Sequence, residues 1–269
     1  MLQHTVVMPL ILVKAILTSI VFSYAALCDW KKREINPMIW ILPIVVGITL
    51  NITLTKYYLG LNPLLQNIDI IKFHILLSLI VSIIIIAISA ILSFILSLLG
   101  GADVLALATF VSLYPTNLEF IYRVVSGQIY IHNTIFALFF LPPVVIIFSM
   151  YLFVMLGLIA SNIIHNIVNR DLFKNLEISL QKKIFYVLFG KIVKVRDIVS
   201  RKFYYPIYIP NILERITFNI NEDYDVWIEK LRKLDPETII VVTWGTPMVT
   251  FIALVILIYI SYYTIMTVM

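Results

Sequence analysis

The stretch Leu98 to Leu107, LLGGADVLAL, lies between two long apolar runs and separates them with a glycine pair and a carboxylate. Adjacent glycines suit a tight turn, and an acid just after them suits the first turn of a new helix. The run before it, about residues 73–99, carries no Asp, Glu, Lys or Arg. A bilayer core of about 30 Å takes roughly 20 such residues in a helix. LLGGADVLAL therefore reads as the link between two membrane spans. The same ruler gives six spans in all: about 6–28, 38–58 and 73–99, a fourth starting at Asp103, then about 134–162 and about 245–267. The fourth loses its apolar character at Tyr114-Pro115, which is short for a crossing. Its far end must be shielded by protein or continue through Leu118–Val125. Pro142-Pro143 should kink the fifth, because each ring removes a backbone donor.

Composition agrees with this reading. The chain is 61% apolar and 13% charged, against about 45–50% and about 25% in soluble proteins, and its mean hydropathy is +1.01. The first apolar stretch, Thr5 to Leu27, is too long for a signal-peptide core and has no basic region before it, so it reads as a retained span. A single cysteine, Cys28, excludes an internal disulfide and a cysteine-rich metal site within one chain. The formal charge of +5 comes from basic residues flanking apolar runs, where they set topology and meet anionic lipid. Membrane lipids are the expected partner, and nucleic acid is not.

Thirteen of the twenty Lys and Arg residues fall between Asn162 and Thr243, and Lys31, Lys32 and Arg33 follow the first span. With six spans these two segments share a side, which the positive-inside rule makes cytoplasmic, with both termini outside. Asp29 closes span one and Asp103 opens span four after a short link, so both acids come out at the cytoplasmic ends of their helices. The segment between spans five and six has structure of its own. In DLFKNLEISLQKKIFYVLF, Asp171 to Phe189, the residues Leu172, Leu176, Leu180, Ile184 and Leu188 recur every four positions, which predicts one amphipathic helix on the membrane surface. Ile192 to Val195, Tyr204 to Ile209, Ile216 to Ile220 and Ile239 to Val242 read as strands, and Tyr224 to Leu234 as a helix. The expected fold class is mainly α: a polytopic membrane protein of about six transmembrane helices, with a small α+β cytoplasmic subdomain inserted between helices five and six. The corresponding divisions are 1–162, 163–243 and 244–269.

Taken alone, each aspartate is most simply an interfacial residue solvated by water and headgroups, and Asp103 would also satisfy the open N–H groups of its helix. Taken together they offer chemistry. Two carboxylates brought close do not both ionise easily, so one can hold a proton as general acid while the other activates water. Gly100, Gly101 and Ala102 would let an extended peptide approach Asp103 closely, or would simply form the turn. Lys14 should snorkel outward. Lying about 15 residues and roughly 22 Å of helix from Asp29, it cannot pair with it. His4, His74, His132 and His165 form no metal-ligand spacing and there is no glycine-rich cofactor loop, so neither metal nor cofactor is expected. Asn51-Ile52-Thr53 matches a glycosylation sequon inside a span, where modification is not expected. Glu34 and the Glu222-Asp223-Asp225 cluster are either solvated acidic faces or an attraction for a basic peptide.

CDWKKREINPMIW, residues 28–40, resembles the first motif of the archaeal preflagellin (prearchaellin) and prepilin peptidases: an aspartate, basic residues, then a hydrophobic residue at the head of helix two. GGADVLAL, residues 100–107, resembles their second motif, with Ala102 standing where the strict form, Gly-x-Gly-Asp, has its second glycine. FGKIVKV at 189–195 and WGTP at 244–247 resemble the segments bounding the cytoplasmic domain of the archaeal enzymes, and Asn133 resembles a recurrent asparagine of the family. The resemblance implies a membrane aspartic endopeptidase, with Asp29 and Asp103 as the catalytic pair, that removes a short basic leader from archaellin or type IV pilin-like precursors at the cytoplasmic face of an archaeal cell membrane. It implies no methyl transfer, since the cysteine tetrad of bacterial relatives is missing. The alternative is a non-catalytic polytopic transporter or assembly scaffold whose acids bind cations or partners. A peptidase of the presenilin type would share the chemistry but cut within a transmembrane helix.

Overall fold

The computed structural model describes residues 2–61, 68–94, 100–127, 138–174, 176, 178–216, 218 and 222–268. It divides into two compact units, one of residues 1–151 with 247–269 and one of residues 152–246. Six helical segments are long and apolar enough to cross a membrane: Val7–Lys32, Pro37–Gly60, Asp69–Ile91, Gly101–Val125, Pro143–Val168 and Met248–Thr267.

The first unit is built from α1 (Leu2–Lys32), α2 (Ile41–Leu61), α3 (Ile68–Phe94), α4 (Gly101–Leu113), α5 (Leu118–Val125), the beginning of α6 (Pro143–Val168) and α11 (Met248–Val268). α1 packs along α11, and α4 is packed by α1, α2, α3 and α11. The fourth span is the interior one, with 72% of its apolar window buried against 17–44% in the others. It is two helices: α4 stops at Leu113, and the chain passes through Tyr114–Asn117 before α5. The backbone groups this break exposes are met by a side chain. Asn51 Nδ2 donates to the Ser112 and Leu113 carbonyls at 2.8 and 2.9 Å. Asn117, at the end of the break, uses its own Nδ2 to hold the segment before α6, donating to the Phe139 and Leu141 carbonyls at 2.8 and 3.0 Å. The sequon asparagine is thus a cap for a broken helix. Gly47 permits this contact, because a Cβ there would lie 2.7 Å from the Ser112 carbonyl oxygen.

Two expectations are corrected in this unit. Pro142-Pro143 does not kink a helix but starts one: α6 begins at Pro143, whose missing N–H is one of the donors a first turn leaves unused anyway. Asn133 and His132, and residues 134–137 at the expected start of span five, lie outside the described residues. Lys14 does not snorkel: its side chain is 1% exposed and ion-paired.

The second unit holds the rest of α6, then α7 (Arg170–Lys174), α8 (Leu180–Phe189), β1 (Lys191–Lys194), α9 (Val195–Ile198), β2 (Tyr204–Ile209), β3 (Leu213–Glu214), α10 (Tyr224–Leu231) and β4 (Ile239–Trp244). The strands form one antiparallel sheet in the order β1-β4-β2-β3. β1 runs against β4 from Lys191 opposite Val242 to Lys194 opposite Ile239. A register shift between Pro206 and Tyr208 on β2 accommodates a proline that cannot donate to the ladder. Strand alternation sorts the side chains: Val193, Ile240 and Val242 pack with Ile228 and Leu231 of α10, while Ile192, Ile207 and Val241 pack with Tyr186 of α8 and Leu176.

The single amphipathic helix expected over Asp171 to Phe189 is two helices. Ser179 caps the second by accepting from the Lys182 N–H, and Leu176 between them is buried in the sheet's core. Leu180 and Ile184 are exposed, so the four-residue leucine spacing does not mark one continuous face. The third strand is Leu213–Glu214, ahead of the Ile216 to Ile220 expected, of which only 216 and 218 are described.

Candidate functional site

Asp29 lies one turn from the end of α1, 8% exposed, and Asp103 in the first turn of α4, 6% exposed. Neither is the solvated interfacial acid that each would be if taken alone. Each is held at a helix N-terminus. Asp103 Oδ2 accepts from the Gly100 N–H at 2.8 Å, while its own N–H donates back to the Gly100 carbonyl at 3.0 Å. Asp29 does the same for a different helix: its Oδ2 accepts from the Thr250 N–H at 2.9 Å, in the first turn of α11. The Thr250 hydroxyl is 3.1 Å from that oxygen and 3.1 Å from the Ala26 carbonyl, and its single proton serves one of them at a time. Open N–H groups and the helix dipole make both positions favourable for an acid.

The two carboxylates come within electrostatic reach of each other, although each makes its hydrogen bonds elsewhere. The Arg33 side chain also acts on Asp29 electrostatically. It is brought back by the end of α1, where Arg33 takes a positive φ of 59° and its N–H donates to the Asp29 carbonyl at 3.1 Å. Asp103 lines a narrow cavity with Ser89 of α3, Leu107 of α4, Ile147, Phe148 and Tyr151 of α6, and Met248 and Ile252 of α11. Apart from Ser89, Asp103 and Tyr151 the lining is apolar. The Tyr151 hydroxyl is buried with no hydrogen-bond partner among the described residues, a state that costs about 1–3 kcal/mol and leaves one donor available.

Of the glycine pair, Gly100 has φ −76° and ψ 149°, an extended conformation open to any residue. What it supplies is an N–H for Asp103. Of the acids that read either as solvated faces or as an attraction for a basic peptide, Glu222 and Asp223 have partners within their own unit, while Asp225 is exposed. Glu222 binds Arg215 and the Trp227 indole, and Asp223 caps α10 by accepting from the Asp225 N–H at 2.9 Å. Glu34 is exposed.

A second polar layer was not legible in the sequence. Lys14 Nζ lies 3.2 Å from Glu119 Oε1, 3.3 Å from Asn51 Oδ1 and 4.5 Å from the centre of the Tyr114 ring. Glu119 also accepts from the Tyr263 hydroxyl, and Asn117 from that of Tyr259. Thr250, Tyr151 and Glu119 were not anticipated. The one local signal among them was Glu119, an acid in the mostly apolar Leu118–Val125, whose other charge is Arg123.

A comparison with protein-family models finds no match, and one with curated proteins finds none either.

Proposed function

We propose that this protein is a membrane aspartic endopeptidase that removes the short basic leader of archaellin or type IV pilin-like precursors, as the resemblance of residues 28–40 and 100–107 implies. The observation that carries the proposal is the pair of buried carboxylates, Asp29 and Asp103, in electrostatic reach of each other at the ends of two apolar helices. Buried like charges that act on each other favour a state with one carboxyl protonated and the other ionised, and that is the resting state of an acid/base pair. The ionised carboxylate takes a proton from water as its oxygen attacks the scissile carbonyl carbon. The protonated one gives its proton to the carbonyl oxygen, and collapse of the tetrahedral intermediate sends a proton to the departing amine. Tyr151, whose hydroxyl shares the cavity with Asp103, is the donor available to the developing oxyanion.

In this reading the basic segments after spans one and five face the cytoplasm. The acids then lie at the cytoplasmic membrane boundary, where a basic leader meets the apolar helix of its precursor. The rival reading, a cation transporter or scaffold, draws on the buried Lys14 and Glu119. That pair is electrically neutral and fully occupied with its neighbours, which suits a structural role better than a transport site.

The test is leader removal from a co-expressed precursor, read as a size shift, for wild type, Asp29→Asn and Asp103→Asn at equal protein levels. Cutting by wild type and by neither variant is the expected result. Cleavage that survives either substitution overturns the two-carboxylate mechanism, and a wild type that cuts no archaellin or pilin precursor favours the rival.

A further inference from the structure

The second unit carries a cavity of about 500 Å³, lined by His165 and Asn169 of the α6 end, Leu172 of α7, Ile192, Val193 and Lys194 of β1, and Arg196, Asp197, Ser200 and Arg201 after it. Its frame is fixed. The Asn166 side chain accepts from the Ile192 N–H at 3.0 Å and donates to the Gly190 carbonyl at 2.7 Å. His165 Nε2 lies 3.0 Å from the Ile192 carbonyl, and since a carbonyl only accepts, the proton is on that nitrogen.

Charge at this cavity is unbalanced. Glu237 takes Lys194 at 2.6 Å and also Arg196, and Asp197 lies 3.7 Å from Arg196. That leaves Arg201, and Lys191 next to the lining residue Ile192, with no acidic partner among the described residues. They act on each other: burial, and then the Arg201 charge, hold the Lys191 ammonium below its usual range. Two cations repelling each other beside a cavity with hydroxyl, amide and imidazole groups form a site completed by an anion.

We propose that this cavity binds a phosphate group, with Arg201 as the charged contact in its lining, Lys191 as a second cation within electrostatic reach of Arg201, and Ser200 and Asn169 as neutral contacts. Its place at the end of α6 points to a lipid headgroup as the source. His165 belongs to the last turn of α6, a helix apolar enough to cross a membrane and ending at Val168. With α6 as the fifth span, the cavity lies at the end of that span, the level expected of headgroup phosphates. Leu172 in the lining suits the glycerol and first methylenes of a lipid. All of the lining belongs to residues 152–246, so the site includes neither aspartate and does not depend on their role.

The experiment uses the full chain in neutral detergent. Retention of phosphatidylglycerol against phosphatidylcholine is read by native mass spectrometry, and inorganic phosphate without lipid is titrated calorimetrically. Wild type should prefer phosphatidylglycerol, and Lys191→Gln/Arg201→Gln should lose the preference by about tenfold, the scale of one charge-assisted hydrogen bond. Arg201→Lys should keep most of it, and so should Lys233→Gln, an exposed cation outside the cavity. Inorganic phosphate bound by wild type and lost in the double variant, with lipid retention unchanged, assigns the same site to soluble phosphate. Lipid retention and phosphate binding that are both absent, or both indifferent to the double variant, overturn the proposal.

Discussion

Two pairs of charged side chains are buried in the helical unit, and they are completed in opposite ways. Lys14 and Glu119 carry opposite charges, touch at 3.2 Å, and are surrounded by Asn51, Tyr114 and Tyr263. Asp29 and Asp103 carry like charges, do not bond to each other, and hold on to helix N-termini instead. The layers share their supports: α1 contributes Lys14 and Asp29, about 22 Å apart along its axis, the broken fourth span contributes Asp103 and Glu119, and α11 contributes Thr250 and Tyr263. A buried charge is costly unless neutralised. The layer that neutralises its own has a structural task, and the layer that leaves two like charges together has an electrostatic cost that stability does not explain.

The largest effects expected are the ones that separate these two roles. Asp29→Asn and Asp103→Asn keep an oxygen for the Thr250 and Gly100 N–H groups, so thermal unfolding should move little while cleavage falls by about 10²–10⁴-fold, the scale of acid/base catalysis. Lys14→Met should do the reverse. It leaves Glu119 buried without its cation, at a cost of about 3–5 kcal/mol in unfolding, whereas Lys14→Met with Glu119→Leu should recover most of that loss. If the double variant is as unstable as the single one, the layer is not a neutral pair and the comparison fails. Tyr151→Phe tests the carboxylate side. Loss of an oxyanion donor should lower kcat by about 10²–10³-fold at unchanged KM and unchanged stability. A variant as active as wild type removes Tyr151 from the mechanism.

How much of this was legible in the sequence depends on how local each interaction is. The six spans were, because a long uncharged apolar run has few other fates, and so was the weakness of the fourth at Tyr114-Pro115. Asp29 and Asp103 stood out because each interrupts or ends such a run. What escaped was the partner of each polar group. Lys14 reads as a snorkelling cation until Glu119, 105 positions away, is known to face it, and Asp29 binds a threonine 221 positions away. Pro142-Pro143 reads as a kink because each ring lacks an N–H, and the same lack suits the helix start that the structure has there. The leucines from 172 to 188 look like one helical face because periodicity ignores the cap at Ser179, which cuts the pattern in two.

A smaller effect probes how tightly the structural layer is packed. Gly47→Ala places a Cβ 2.7 Å from the Ser112 oxygen, and the Nδ2 of Asn51, which joins this contact to Lys14, also lies 2.7 Å from the Gly47 carbonyl, sharing its two protons among three carbonyls. Overpacking of this kind costs about 1–3 kcal/mol. Thermal unfolding should report it, with cleavage per folded molecule unchanged. Lost cleavage at full stability would mean that the two layers communicate through α4.

The smallest effect comes from a charged cluster with the same chemistry outside the helical unit. Glu237 sits between Lys194 and Arg196, yet all three are open to solvent, and exposed ion pairs contribute little. The Lys194 hydrogen bond holds the Glu237 carboxyl below its usual value of 4.5. A carboxyl depressed in the folded state supports folding above its unfolded pKa, and that support is lost as pH falls through the folded one. Glu237→Gln should therefore differ from wild type in hydrogen exchange of β1 and β4 only slightly at neutral pH, and the difference should close as pH drops below the ordinary carboxylate range. A loss of protection as large as that of Lys14→Met would mean that burial is not what separates strong charge pairs from weak ones in this protein.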